Sequence, residues 1–312
     1  EYVVILSVGP VQSMIAAARK SRDLWSGSAL LSELAKACAF SLKQQGAELI
    51  FPAITKDDNE SLKKNSEFSV GNKIQVCLTV DNKQQLKDVV QQAKQATRQR
   101  FLDEAQDVLA QLNDNEIRIQ VWRSQVNDYV EIQAAWAKIS EQQPYAKAVD
   151  LAAKVLASRK ATRDFAQITL HPYAADLMIP KSSLDGERET ILKEDHKKPL
   201  SSKTRAKLGL SASEQLDCLG VVKRLGLREQ ADRFTAFTRI TAHAWIEKIA
   251  EDSNFEELKE GYERLVKHDL ATRVRGNQGI YDLFPYDAQF LYRSRLEAEL
   301  RNFQDEDSFK DS

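Results

Sequence analysis

Residues 2–32 read YVVILSVGPVQSMIAAARKSRDLWSGSALLS, and this stretch decides the fold at the start of the chain. The run at 2–8 is short, apolar and β-branched, which is typical of a buried strand. Gly9-Pro10 ends that run, and Pro10 suits the first turn of a helix, where a missing N–H costs nothing. The following residues favour a helix, and Ser26 and Ser28 around Gly27 offer an N-cap for a second one.

The next segments extend this corner into a repeating strand and helix order. Strands are predicted at 47–53, 72–80 and 129–139, and a long amphipathic helix at 84–112 separates the last two. The order strand, helix, strand, strand, helix, strand is the ferredoxin-like arrangement found in the palm domains of nucleotide cyclases and polymerases. Residues 113–128 leave room for one more element.

The chain changes character after Pro144. A helix is predicted at 145–163, a long connection with three prolines at 167–200, and mostly helices beyond it. These later helices are predicted at 212–226, 230–251 and 254–267. We therefore expect an α+β protein, with a ferredoxin-like (palm/cyclase-like) domain at 1–142 and a helical and linker region at 143–312.

The composition excludes several classes of protein. Apolar residues make up 42% and charged residues 29% of the 312, which fits neither a disordered chain nor a membrane-spanning one. Lysine plus arginine number 45 against 46 acidic residues, which excludes a uniformly basic nucleic-acid coat but allows a local basic patch. Cys38, Cys77 and Cys218 form no C-x-x-C pair, so a cytoplasmic, reducing location is expected and a structural zinc site is not.

The corner at 9–28 carries the clearest chemical signal. Helix N-termini present unpaired N–H groups and a positive dipole end, so they bind phosphate. Arg19, Lys20 and Arg22 add positive charge beside it. The alternative is structural: Gly9-Pro10 is only a turn, Arg22 and Asp23 form a solvated pair, and Trp25 packs the helix on its sheet.

Four collinear blocks carry a resemblance to a known family. They are SVGPVQSMIAAARKSRDLWSGSALLSEL (7–34), ASRKATRDF (157–165) after Tyr145, PKSSLDGERETIL (180–192) with LSASEQLDCLGVVKRLG (210–226), and FPYDAQFLYRSRLE (284–297). Together they resemble the large subunit of type III CRISPR effector complexes, particularly the Cmr-type (type III-B) branch. In that family two cyclase-like palms face each other with ATP between them, and binding of target RNA switches on synthesis of cyclic oligoadenylate.

The resemblance implies an antiviral ribonucleoprotein subunit in which this chain supplies the first palm. Its partners would be the backbone and small subunits, guide RNA and target RNA, with no membrane involved. ATP would be the bound nucleotide, and magnesium or manganese would be held only together with the second palm. No catalytic residue and no metal ligand is expected in this chain. The residues expected to bind ATP are Gly9, Pro10, Gln12, Ser13, Arg19, Arg22, Asp23, Ser26, Gly27 and Ser28.

The chain departs from the family pattern in three ways. It contains no Gly-Gly-Asp-Asp turn, since Asp57-Asp58 lies in KDDN without glycines. The family's HD nuclease domain is not found, and PKSSLDG stands where zinc-binding cysteines are frequent. Because the first residue is Glu and a strand begins at residue 2, we expect truncation at the N-terminus. Because the resemblance implies a second palm with the Gly-Gly-Asp-Asp turn, we also expect truncation at the C-terminus and no enzymatic activity of the chain alone.

Two basic clusters are candidates for RNA phosphates. The expected RNA-binding residues are Arg159, Lys160, Arg163, Lys197, Lys198, Lys203, Arg205 and Lys207. The alternative is that these are solvated charges, because no aromatic residues interleave them.

Two rival functions stay open. The palm could be a scaffold that has lost nucleotide binding and only bridges other subunits. Alternatively, His243, His268-Asp269 and Asp282 superficially follow the metal pattern of phosphohydrolases. Two further histidines, in Asp195-His196 and at His171, are assigned to linker and loop. A real metal site needs all its ligands to converge, so the hydrolase is the weaker rival.

Overall fold

The computed structural model describes residues 1–162, 179–194, 199–211, 213–227, 235–268, 270–274 and 279–297. The described strands are β1 (Tyr2–Gly9), β2 (Glu48–Phe51), β3 (Lys73–Leu78) and β4 (Glu131–Lys138). The helices up to residue 161 are α1 (Val11–Ala16), α2 (Ser21–Gln44), α3 (Lys83–Leu109), α4 (Ile119–Asp128) and α5 (Tyr145–Ala161). The later helices are α6 (Ser202–Leu208), α7 (Cys218–Leu225), α8 (Phe237–Thr241), α9 (His243–Ile249) and α10 (Phe255–Lys267).

The strands form one antiparallel sheet in the order β2-β3-β1-β4. Val4 in the central strand lies opposite Val76 of β3 and Trp136 of β4. Because β1 and β2 both run antiparallel to β3, they run parallel to each other with β3 between them. The helical crossover from β1 to β2 is therefore a split βαβ unit, as predicted. The mixed architecture confirms the expected α+β class.

Strand β1 is buried on both faces, which explains its unbroken apolar run. Val4, Leu6 and Val8 pack with α2 and α3 in the main core, whereas Val3 and Ile5 face α5 on the opposite side. Strand side chains alternate between faces, so each neighbouring residue enters a different layer.

The open interval at 113–128 contains α4, whose buried face carries Val121, Trp122 and Val126. This helix directly precedes β4, and a short 3₁₀ turn at Asp114–Glu116 joins it to α3. The fourth strand is confirmed, with slightly tighter bounds than predicted.

The described residues between 179 and 227 pack on the same side of the sheet as α2 and α3. Ile191, Leu192, Leu216 and Val222 belong to the core that contains Val4 and Leu6. The predicted helix at 212–226 is wrong in its first part, because the helix begins at Cys218, where the Asp217 side chain caps the Gly220 N–H at 2.9 Å. The proposed division at 142/143 stays a prediction.

The last described residues form a second core around aromatic side chains. Phe255, Tyr262, Phe284 and Tyr286 are all buried there, and Tyr262 lies 4.9 Å from Phe284, edge to face. The single helix predicted at 230–251 is replaced, within the described residues, by α8 and α9. The Thr241 hydroxyl donates to the Phe237 and Thr238 carbonyls at the junction, a local bond that competes with helix continuation. No helix in the described part of the chain is long and apolar enough to cross a membrane.

Candidate functional site

The turn at Gly9-Pro10 brings α1 up against the N-terminal half of α2. Pro10 is the N-cap of α1 rather than its first helical residue, and its carbonyl accepts from the Met14 N–H at 3.2 Å. Gln12 is exposed, while Gly9, Pro10 and Ser13 are half-buried. These four predicted residues therefore keep surface that a ligand could reach.

The second helix begins at Ser21, so the predicted N-cap at Ser26 and Ser28 is wrong. The Asp23 carboxylate explains this start, because its Oδ2 accepts from the Arg19 and Lys20 N–H groups, each at 3.1 Å. Ser26 and Ser28 lie inside the helix, where their own N–H groups are used by helical hydrogen bonds. The free N–H groups expected at these serines are not available to an anion.

Gly27 is the point of closest approach between α1 and α2. A Cβ atom built on this residue would lie 2.0 Å from the Met14 carbonyl oxygen, so only glycine fits there. Ser26 and Asp23 are also buried, at 1% and 0% exposure. Among the predicted nucleotide-binding residues, these three serve the packing of the corner.

An open cleft of about 600 Å³ lies beside the corner. Val11 and Ile15 of α1 line one side, Trp25 and Ser28 of α2 line another, and the loop at 66–72 closes it. Ser28 is exposed, and Trp25 and Phe68 are partly exposed. The cleft therefore offers apolar and aromatic surface beside the exposed hydroxyl of Ser28, a combination typical of small-molecule sites.

A buried ion pair on α2 holds the loop that closes the cleft. Lys36 Nζ lies 2.5 Å from Glu33 Oε1 and donates to the Ser66 carbonyl at 3.1 Å. Glu33 also accepts from Arg100 of α3 at 3.0 Å and from the Asn65 N–H at 3.2 Å. Sequence reasoning missed this pair. The signal was two opposite charges three residues apart inside an otherwise apolar helix.

A second buried network joins the start of α2 to α7. Arg224 donates from Nε to Asp23 Oδ1 at 3.2 Å and from a terminal nitrogen to Glu214 Oε1 at 2.6 Å. Burial alone would raise the pKa of Glu214, but the hydrogen bonds from Arg224 and the Ser211 N–H, together with the charges of Arg224 and Lys20, outweigh burial and the pKa is lowered. The pKa of Arg224 is raised, because its bonds to both carboxylates outweigh its burial.

The other cations of the corner also contact protein groups. Arg19 Nε donates to the Ser183 carbonyl at 3.0 Å, and Lys20 Nζ donates to the Gly209 carbonyl. Lys223 Nζ donates to the Ala17 carbonyl at 2.5 Å, and burial lowers its pKa to about 8. The charge of Arg22 lowers the pKa of the buried Asp287, although burial raises that pKa overall. Much of the predicted phosphate-binding charge thus faces other parts of the chain.

Asp217, the N-cap of α7, gives a pH-dependent test of the packing around this helix. Burial raises the pKa of this carboxyl to about 6. Because the folded protein binds this proton more tightly than the unfolded chain does, the carboxyl contributes most to stability below its unfolded pKa. This contribution is lost as the pH rises through 6. Asp217→Asn keeps the cap oxygen but removes the titration. The stability of the wild type relative to this variant should fall between pH 4 and 7 by on the order of 3 kcal/mol. Chemical denaturation at both pH values measures this, and a constant difference would contradict it.

The predicted RNA-binding residues separate into two groups. Arg159, Lys160 and Lys203 are exposed. Arg205 pairs with Glu194 and donates to the Ser211 carbonyl at 2.6 Å, and Lys207 donates to the Gln111 carbonyl at 3.2 Å. The remaining predicted positions, Arg163, Lys197 and Lys198, lie outside the described residues.

The histidine pattern finds no support in the described ranges. No three His, Cys, Asp or Glu side chains converge there as metal ligands. His243 instead contacts Arg239 at 3.2 Å and the Tyr281 ring at 5.3 Å. The Asp269 partner of His268, the Asp195-His196 pair and His171 lie outside those ranges. The three cysteines are buried free thiols.

Residues 3–110 match the family model CRISPR-associated protein Cmr2, N-terminal. This match runs from β1 into the end of α3, so it includes the corner and every residue that lines the cleft. No curated protein matches the chain. The Cmr2 match supports a large subunit of a type III-B CRISPR system, and it implies the other subunits of such an effector complex as partners.

Proposed function

We propose that this chain is the nucleotide-binding first palm of a Cmr2-type subunit, and that the cleft between α1, α2 and the 66–72 loop takes ATP. The observation that carries the proposal is the position of the cleft within the Cmr2-matching segment, at the turn after β1. The residues present fit a nucleotide, because the partly exposed Trp25 and Phe68 offer stacking surface and Ser28 offers a donor to phosphate or sugar.

In this proposal the chain binds and orients ATP. Ser28 donates to the nucleotide from the cleft wall, and Gln12 and Ser13 donate from α1 beside the lining residue Val11, although they do not line the cleft themselves. The buried pair Glu33–Lys36 keeps the far wall of the cleft in place. Divalent metal ions held with a second palm would align a ribose hydroxyl with an α-phosphate. The family resemblance supplies the expectation that the product is cyclic oligoadenylate and that guide and target RNA regulate its synthesis.

The first test is Ser28→Ala. The lost hydrogen bond to a charged ligand is expected to weaken ATP binding about tenfold or more. Calorimetry of the chain mixed with its companion second palm measures the affinity, and Ser158→Ala, an exposed hydroxyl on α5, is the matched control. If Ser28→Ala and Gln12→Ala both leave ATP affinity unchanged, the site is assigned wrongly.

A scaffold function is the second candidate, and one observation favours it. Arg19 and Lys20, which would supply positive charge near the phosphates, both donate to carbonyl groups of other parts of the chain. On that view the corner is a structural joint and the chain only bridges subunits. Failure of the wild-type pair of palms to bind ATP at all would decide for the scaffold.

A further inference from the structure

The cleft walls are tied to a helix that does not line the cleft. Arg224 and Lys223 lie on α7, about two hundred residues along the chain from the corner they contact. Lys223 Nζ binds the Ala17 carbonyl just past the end of α1. Arg224 binds Asp23, whose carboxylate accepts the Arg19 and Lys20 N–H groups at the start of α2.

We propose that Arg224 is a positioning residue for the nucleotide cleft. By holding Asp23 it fixes where α2 begins, and therefore where Trp25 and Ser28 stand relative to α1. Lys223 holds the segment between α1 and α2 at its other end, through the Ala17 carbonyl. The role of Arg224 in nucleotide binding rests on the proposed function, whereas its hold on the corner can be measured without any nucleotide.

The donor geometry explains why arginine is needed at this position. Its guanidinium reaches three acceptors at once: the Asp23 carboxylate through Nε and one terminal nitrogen at 3.2 and 3.3 Å, Glu214 at 2.6 Å, and the Leu208 carbonyl at 3.1 Å. A lysine concentrates its donors on one nitrogen and cannot span these acceptors. Arg224 is 5% exposed, so water cannot readily replace a lost bond.

The test is Arg224→Lys, which keeps the charge and removes the fork of donors. Amide hydrogen exchange of the free chain should become about tenfold faster at Arg19 and Lys20, whose N–H groups bind Asp23, while β1 exchanges as in the wild type. A general loss of stability would accelerate β1 as well, so the two effects are separable. ATP affinity, measured with the companion palm, should fall about tenfold with the same variant.

Arg205→Lys is the matched control, because Arg205 also joins a carboxylate and a carbonyl, and its partners Glu194 and Ser211 do not belong to the corner. If Arg224→Lys does not fold, Lys223→Met should accelerate exchange around Ala17. Unchanged exchange at Arg19 and Lys20 would overturn the positioning role. Accelerated exchange with unchanged ATP affinity would restrict Arg224 to packing and overturn its role in binding. If the wild type binds no ATP but Arg224→Lys still accelerates exchange at Arg19 and Lys20, the proposed function is wrong, while the role of Arg224 in holding the corner stands.

Discussion

Replacing Arg224 with leucine is expected to lower the free energy of unfolding by about 3–5 kcal/mol, because the change leaves buried charge uncompensated. Asp23 and Glu214 are 0% and 1% exposed, and both lose their bonds to the guanidinium. The Leu208 carbonyl loses a donor as well. Guanidinium denaturation at pH 7 measures the loss.

The loss of unfolding free energy caused by Arg224→Leu should become smaller at low pH. In the wild type the pKa of Glu214 is lowered, so its stabilising contribution is present above the unfolded value near 4.5 and is lost as pH falls. In the variant, burial without Arg224 would raise that pKa, and protonation would then relieve the buried charge. Removing an exposed pair with Lys154→Gln should cost less than about 1 kcal/mol, since Asp150 and Lys154 are both solvated. Equal losses for the two variants would contradict a buried network.

Gly27→Ala is expected to destabilise the protein by at least about 3 kcal/mol, although alanine favours helices. The added methyl would lie 2.0 Å from the Met14 carbonyl oxygen, and real Cβ atoms stay beyond about 3.0 Å. The obstructing atom is backbone, so no side-chain rotation relieves the clash and α1 must move as a unit. Thermal and chemical denaturation measure the effect.

Gly261→Ala is the matched control for this substitution. Gly261 also lies within a helix, but a Cβ atom built on it would lie 4.0 Å from the nearest atom, a terminal side-chain nitrogen of Arg264. The same change there should stabilise by up to about 1 kcal/mol through helix propensity. If Gly27→Ala reduced only ATP affinity and left stability intact, Gly27 would be a ligand contact, as the sequence first indicated, and the packing explanation would be wrong.

Local patterns predicted much of the fold. The apolar run at 2–8 and the alternation at 72–80 depend on neighbours a few residues apart, so the strands were found close to their true bounds. Helix α4 was missed because residues 113–128 are rich in polar side chains. Its signal was present in the helical spacing of Ile119, Trp122 and Val126.

The candidate site was predicted less completely, for a physical reason. Lys223 and Arg224 follow Val221 and Val222 in a short helix, and long cations in such a helix normally face water. Both are buried because α7 packs against α2 across the core. The exposed Ser28 and the buried Ser26 are two residues apart on the same helix, about 200° apart around its axis. Tertiary packing decides which of these two faces is covered.

The sequence alone determined the four strands, the corner after β1 and the blocks that resemble a type III CRISPR large subunit, because each strand, corner or block consists of residues close together in the chain. Only the tertiary structure decided which residues of that corner reach a ligand and which serve packing. The exposure of a side chain and its hydrogen-bond partners depend on the elements that pack against it. Here the partners lie up to 206 residues apart in the chain, as Lys223 and Ala17 do.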